Sequence, residues 1–147
     1  MNQTSGEYAT FLFTDIEGST QLWEQHPDAM REALARHDEI LRVAIEGNGG
    51  HVFKTVSDAF HAAFPSAPPA LRAALEAQRT LATAQWPDIG PLRVRMALHC
   101  GQVQARDDDY FGPVLNRTAR LMAAGHGCQI LLSQACEELV RSALPVD

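Results

Sequence analysis

The period of apolar residues changes repeatedly along the chain, and each change marks an element. Residues 9–14 form a β-type apolar run, and a helical pattern follows Gly18. From about Pro27, Met30, Leu34, Leu41 and Ile45 recur at helical spacing until Gly47, Asn48, Gly49 and Gly50 stop the helix. Two short runs, 51–56 and 59–64, meet at Ser57 and Asp58, the arrangement of a tight hairpin, and residues 65–69 close it. A third helix carries Leu71, Leu75, Gln78 and Ala82 on one face to about Gln85, where residues 86–91 break it. Across residues 92–98, Val94, Met96 and Leu98 alternate with Arg93, Arg95 and Ala97, a strand with one covered and one wetter face. Gly101 is expected to turn it into a partner strand near 102–105. After the acidic loop of Asp107, Asp108 and Asp109, Gly112 and Pro113 open a helix from about 114 to 125, residues 129–132 make a strand, and Ser133 caps a last helix. The order βααββαββαβα predicts an α+β sheet covered by helices more than a doubly wound parallel sheet.

Composition narrows what such a sheet can do. At 147 residues and 46% hydrophobic content, the chain suits one domain, 1–147, with a sizeable core. A net charge of −6 without a basic stripe disfavours nucleic acid and an anionic membrane as partners. No stretch has the basic start and apolar core of a secretion signal, and no apolar run reaches membrane length, so a cytoplasmic domain without membrane contact is expected. Cys100, Cys128 and Cys136 are odd in number and lack ligand spacing, so neither a disulfide framework nor a zinc site is expected; they read as small core or surface residues. Of twelve basic residues only Lys54 is lysine, a hint that an ammonium matters there.

The chemistry concentrates first at Phe13-Thr14-Asp15-Ile16-Glu17-Gly18-Ser19-Thr20, where a strand delivers an aspartate into a Gly/Ser/Thr turn before a helix. A helix start offers unpaired N–H groups and a positive dipole end, which suits a metal-bound polyphosphate. The other reading is that Ser19 or Thr20 caps a helix and Asp15 is a solvated turn residue. Asp58 lies at the hairpin tip and converges with Asp15 if their strands are neighbours. Divalent cations, Mg2+ or Mn2+, between two carboxylates relieve their repulsion and, at roughly 3.5–4 Å apart, activate an attacking oxygen and hold a phosphate; a plain turn aspartate is the alternative. Asn116 and Arg120, four apart on a helix, share a face on which an amide and a guanidinium orient a ribose and stabilise phosphate charge, or simply meet solvent.

Together, the segment at residues 13–20, Phe53-Lys54-Thr55-Val56-Ser57-Asp58-Ala59-Phe60, and Asp109-Tyr110-Phe111-Gly112-Pro113-Val114-Leu115-Asn116-Arg117-Thr118-Ala119-Arg120 resemble the three signatures of the class III nucleotidyl cyclase catalytic domain, in its bacterial adenylate cyclase branch. The resemblance covers nearly the whole chain. It implies a ferredoxin-like βαββαβ core and conversion of ATP to cyclic AMP and pyrophosphate. It further implies two metal ions per site held by Asp15, Asp58 and the Ile16 carbonyl, with Glu17, Gly18, Ser19 and Thr20 around the phosphates. Asn116 matches the ribose-orienting residue and Arg120 the transition-state arginine. Lys54 and Asp109 match the purine-selecting positions: an ammonium donates to adenine N1 and a carboxylate accepts from the 6-amino group, whereas guanine reverses both. Guanylate cyclases of the family carry Glu and Cys there. Family sites form between head-to-tail domains, so a homodimer with shared active sites is implied.

Two departures from the pattern matter. Ser57 stands where the family has glycine before the second aspartate, at a cost of order 1 kcal/mol if the position needs positive φ. Family members also continue past Pro145 into a hairpin whose lysine grips the triphosphate, so the chain reads as a catalytic domain truncated at its C-terminal end. Both departures feed an alternative: a weak or silent cyclase-homology domain that binds nucleotide or pairs for regulation. A phosphatase using Asp15 as nucleophile is a third reading, undercut by the lack of a second aspartate at position 17.

Overall fold

The computed structural model describes residues 5–86, 88–107 and 109–141. In chain order the elements are β1 (Ser5–Ile16), α1 (Ser19–Gln25), α2 (Pro27–Gly47), β2 (His51–Val56), β3 (Ala59–Phe64), α3 (Ala67–Thr83), β4 (Val94–Arg106), β5 (Asp109–Phe111), α4 (Pro113–Ala123), β6 (Ile130–Leu132) and α5 (Gln134–Val140). The element types follow the expected order, and the β2–β3 hairpin has the expected bounds. Pro87, Asp108 and residues 142–147, Pro145 among them, lie outside the described residues. Ser133 caps α5, its Oγ accepting from the Cys136 N–H at 3.3 Å.

The sheet has six strands in the order β2-β3-β1-β4-β5, with β6 beside β4. All pairs are antiparallel except β4–β6. One expectation fails here: Gly101 does not turn the chain. β4 runs straight through it, pairing with β1 from Val94 to Ala105, and its hairpin partner is β5. Gly101 is needed for close approach instead, since a Cβ there would lie 3.0 Å from a methyl of Val114 on α4.

Strand alternation gives the sheet two unlike faces. On one, Leu12, Ile16, Phe60, Ala62, Phe64, Val94, Met96 and Leu98 pack under α2, α3 and α5. The seam of α3 is made by Ala70, Ala74, Ala77 and Leu81, all buried, whereas Ala82 of the expected face is exposed. Alanines bring α3 close to the sheet. On the other face, Ala9, Phe11, Phe13, Ala63, Ala97 and Val103 are covered by Val114 and Met122 of α4. Phe53 and Tyr110 border this cluster and are only half-buried.

The cysteine expectation is also corrected. Cys100 on β4 and Cys136 on α5 are bonded to each other with Cα atoms 5.6 Å apart, and both are buried; Cys128 is free and exposed. Their 36-residue separation hides a contact that only the docking of α5 creates. Among the described residues no helix is long and apolar enough to cross a membrane.

Candidate active site

The last residues of β1 bring three charged side chains together. Asp15 stands opposite Arg95 in the β1–β4 register. The Arg95 fork donates from Nε to Asp15 Oδ1 at 2.7 Å and from Nη2 to Oδ2, with the two side chains 26% and 19% exposed. The hydrogen bond and charge of Asp15 hold the guanidinium pKa above its ordinary value. Asp58 arrives from the β2–β3 turn, buried, and its Oδ2 accepts from the Ile16 N–H at 2.7 Å. The expected convergence of the two aspartates on one strand end is therefore present, because β3 lies beside β1.

The turn before Asp58 depends on Ser57, which holds φ 56°, a left-handed conformation that glycine adopts without cost. The turn after Ile16 uses Gly18 at φ 71° as the N-cap of α1, with no side-chain cap, so neither Ser19 nor Thr20 caps the helix. Glu17 is occupied by the fold: its N–H donates to the Arg93 carbonyl and its Oε2 accepts from the Gly127 N–H, each at 2.8 Å. That ties the phosphate-turn candidate to the α4–β6 connection.

The remaining sequence-predicted residues lie apart from the aspartates. Lys54 is exposed on β2, paired in register with His61. Asp109 opens β5, its Oδ1 accepting from the Tyr110 N–H at 2.8 Å. Phe53 and Tyr110, their chain neighbours, touch edge to face with ring centroids 4.8 Å apart, which brings β2 and β5 to one side of the sheet. Asn116 and Arg120 are exposed on α4, and Arg120 borders a surface cleft with His99, Arg117 and Ser133. Among the described residues no hydrogen bond or ion pair joins Lys54, Asp109, Asn116 or Arg120 to Asp15 or Asp58.

Two features lay outside the sequence-derived site. Arg95 read as a wet-face residue; finding it needs the strand register, which pairs it with a residue 80 positions away. His61 stacks on Phe13 with centroids 3.8 Å apart. Burial first, then the nearby Lys54 charge, push its pKa below the ordinary 6.5.

Among the described residues no three His, Cys, Asp or Glu side chains cluster to hold a metal ion. Two carboxylates beside a backbone carbonyl nevertheless fit Mg2+ or Mn2+, which are commonly bound by one or two carboxylates and completed by substrate phosphates. The guanidinium drawn to Asp15 marks the same demand for positive charge.

The family model described as adenylate and guanylate cyclase catalytic domain matches residues 1–144. An uncharacterised Mycobacterium tuberculosis protein is 43% identical over 140 residues, 94% of this chain and 47% of that protein. An adenylate cyclase of Neurospora crassa is 34% identical over 170 residues, 94% of this chain and 7% of that protein. The chain thus spans less than half the length of these relatives. Among solved structures, an adenylate/guanylate cyclase/hydrolase from Silicibacter pomeroyi superposes with a TM-score of 0.87 at 26% identity, covering 99% of this chain and 86% of that one. A Trypanosoma brucei adenylate cyclase in its monomeric state gives 0.82 at 28% identity, covering 89% and 75%.

Proposed function

Because the chain belongs to the adenylate and guanylate cyclase catalytic domain family, we propose that it converts ATP to 3′,5′-cyclic AMP and pyrophosphate at active sites shared between two copies. The observation that carries this reading is the meeting of Asp15 and Asp58 at one strand end beside the Gly18 turn. The reaction is in-line attack of the ribose 3′ oxygen on the α-phosphorus, with pyrophosphate leaving. Asp15, Asp58 and the Ile16 carbonyl would hold two Mg2+ or Mn2+ ions, whose charge would acidify the 3′ hydroxyl and neutralise the phosphates. The backbone of Gly18, Ser19 and Thr20, at the open start of α1, cradles the polyphosphate, and Glu17 braces that turn. From the partner copy, Asn116 orients the ribose and Arg120 stabilises charge on the phosphoryl oxygens as it builds. Lys54 donates to adenine N1 and Asp109 accepts from the 6-amino group, a donor–acceptor pair that favours ATP over GTP.

The separation of the residues supports sharing. Lys54, Asn116 and Arg120 are exposed and unlinked to the aspartates, as groups awaiting a second chain are. Phe53 and Tyr110, half-buried at the border of the face that α4 covers, suit further cover by that chain. Mixing tests the arrangement: Asp15→Ala and Asn116→Ala proteins, each inactive alone, regain cyclic AMP production with Mn2+ and ATP when combined. No recovery despite proven subunit exchange sinks the shared site.

A second reading, a cyclase-homology domain that binds nucleotide but turns over slowly, draws on one observation, the left-handed Ser57 beside Asp58. Absence of cyclic nucleotide from both ATP and GTP, in this chain and in a C-terminally extended one, favours that reading.

A further inference from the structure

We propose that Arg95 is a latch on the metal site: in the metal-free protein its guanidinium holds both oxygens of Asp15, and divalent cations bind only as that pair opens. This rests on the reading of Asp15 as a metal ligand. Both donors of the fork are engaged, one on each carboxylate oxygen. The pair is mostly shielded from water, so screening does not make it negligible. A carboxylate keeps lone pairs beyond those a bidentate arginine uses, but an ion seated on them would face the guanidinium across one functional group. Like charges so close exclude each other. Asp58 offers no alternative anchor of equal freedom, since it is buried and its Oδ2 is already engaged by the Ile16 N–H. Arg95 therefore neutralises Asp15 while the metal is absent and opposes the metal when it arrives. It acts as a positioning residue, through Asp15.

The latch makes a prediction opposite in sign to a structural role. An arginine that merely braced β1 against β4 would, once removed, loosen the ligand and weaken metal binding. A latch, once removed, strengthens it. Mn2+ binding without nucleotide, read from the electron paramagnetic resonance signal of the free ion, compares the intact chain with Arg95→Gln, Arg95→Lys and Asp15→Asn, each checked for folding by thermal unfolding. Arg95→Gln is expected to bind Mn2+ roughly ten- to a hundredfold more tightly, the range set by losing hydrogen bonds to a charged group. Arg95→Lys, which keeps the charge but lacks the planar fork, falls between the two. Asp15→Asn binds worse than the intact chain. Equal affinity of Arg95→Gln and the intact chain, with Asp15→Asn still weakened, overturns the latch and leaves the metal site standing. A gain in Arg95→Gln with none in Arg95→Lys supports the latch and assigns its opposition to charge rather than to the planar fork. Failure of every protein, Arg95→Gln included, to bind Mn2+ overturns the latch and leaves a metal reading of Asp15 in which substrate phosphates complete the site.

Discussion

Two halves of the candidate site are built to different standards. Around Asp15 and Asp58 the carboxylates are engaged: a fork on one, a backbone N–H on the other, and Glu17 tied to the α4–β6 connection. Lys54, Asn116 and Arg120 instead stand exposed on β2 and α4. The difference follows from desolvation. Carboxylates brought together in a shielded corner must be paired or hydrogen-bonded in the folded chain, whereas groups at the surface are paired by water until a ligand or partner arrives. A locked half and an open half are what a site completed from elsewhere requires.

Breaking the two halves separates function from stability. Asp58→Ala and Arg120→Ala are both expected to cut cyclic AMP formation on the order of 10²–10³-fold, the scale for removing one preorganised charge-stabilising group. Only Asp58→Ala should also destabilise the fold, by about 1–3 kcal/mol, because it strands the buried Ile16 N–H. Arg120→Ala should stay within about 0.5 kcal/mol. Denaturant unfolding beside an activity assay checks both, and equal destabilisation by the two variants removes the distinction.

A smaller effect should sharpen the locked half. Ser57 adopts φ 56° next to Asp58, so Ser57→Gly relieves a left-handed serine and should raise stability by about 1 kcal/mol, less any entropy the glycine restores to the unfolded chain. Activity should rise with it if the strain tilts Asp58. A stability unchanged or lowered by the glycine says the turn tolerates serine.

Ser57 also illustrates how far the chain could be read before folding. The hairpin at 57–58 was legible because two short runs meet at a Ser-Asp pair, whereas the positive φ at Ser57 was raised only as a condition, by the resemblance to a family with glycine there. Gly101 was misread, since a glycine in a strand signals a turn or a close approach alike, and Val114 lies on a helix still to come. Only part of the α3 seam was legible, Leu71 being buried as expected while Ala70, Ala74 and Ala77 escaped notice, because alanine is indifferent to pattern yet ideal for tight packing. Arg95 and the Cys100–Cys136 bond depend on register and helix docking across 80 and 36 residues. Local chemistry is written locally; what neutralises it in the folded chain is not.

The smallest expected effect compares two histidines. His37 on α2 is fully buried, with Nδ1 on Asp38 at 2.9 Å, its Nε2 without a partner among the described residues, and its ring 5.7 Å from Phe60. Burial lowers its pKa below the ordinary 6.5, outweighing the opposing hydrogen bond and charge of Asp38 and the smaller effect of the Asp58 charge. His61, half-buried in the open half, is lowered by burial and by Lys54. The sign follows from proton counting. Above pH 6.5 both histidines are neutral folded or unfolded and contribute nothing. As pH falls through 6.5 the unfolded chain takes up protons that the fold resists, so stability declines with acidity until the depressed folded pKa is reached. Chemical unfolding from pH 8 to 5 should show this slope flattened more by His37→Leu than by His61→Leu, since one ring is sealed beneath Phe60 and the other keeps access to water. Whatever each substitution costs in absolute stability, the slope reports the proton. A slope equal in His37→Leu and the intact chain would place the acid sensitivity elsewhere.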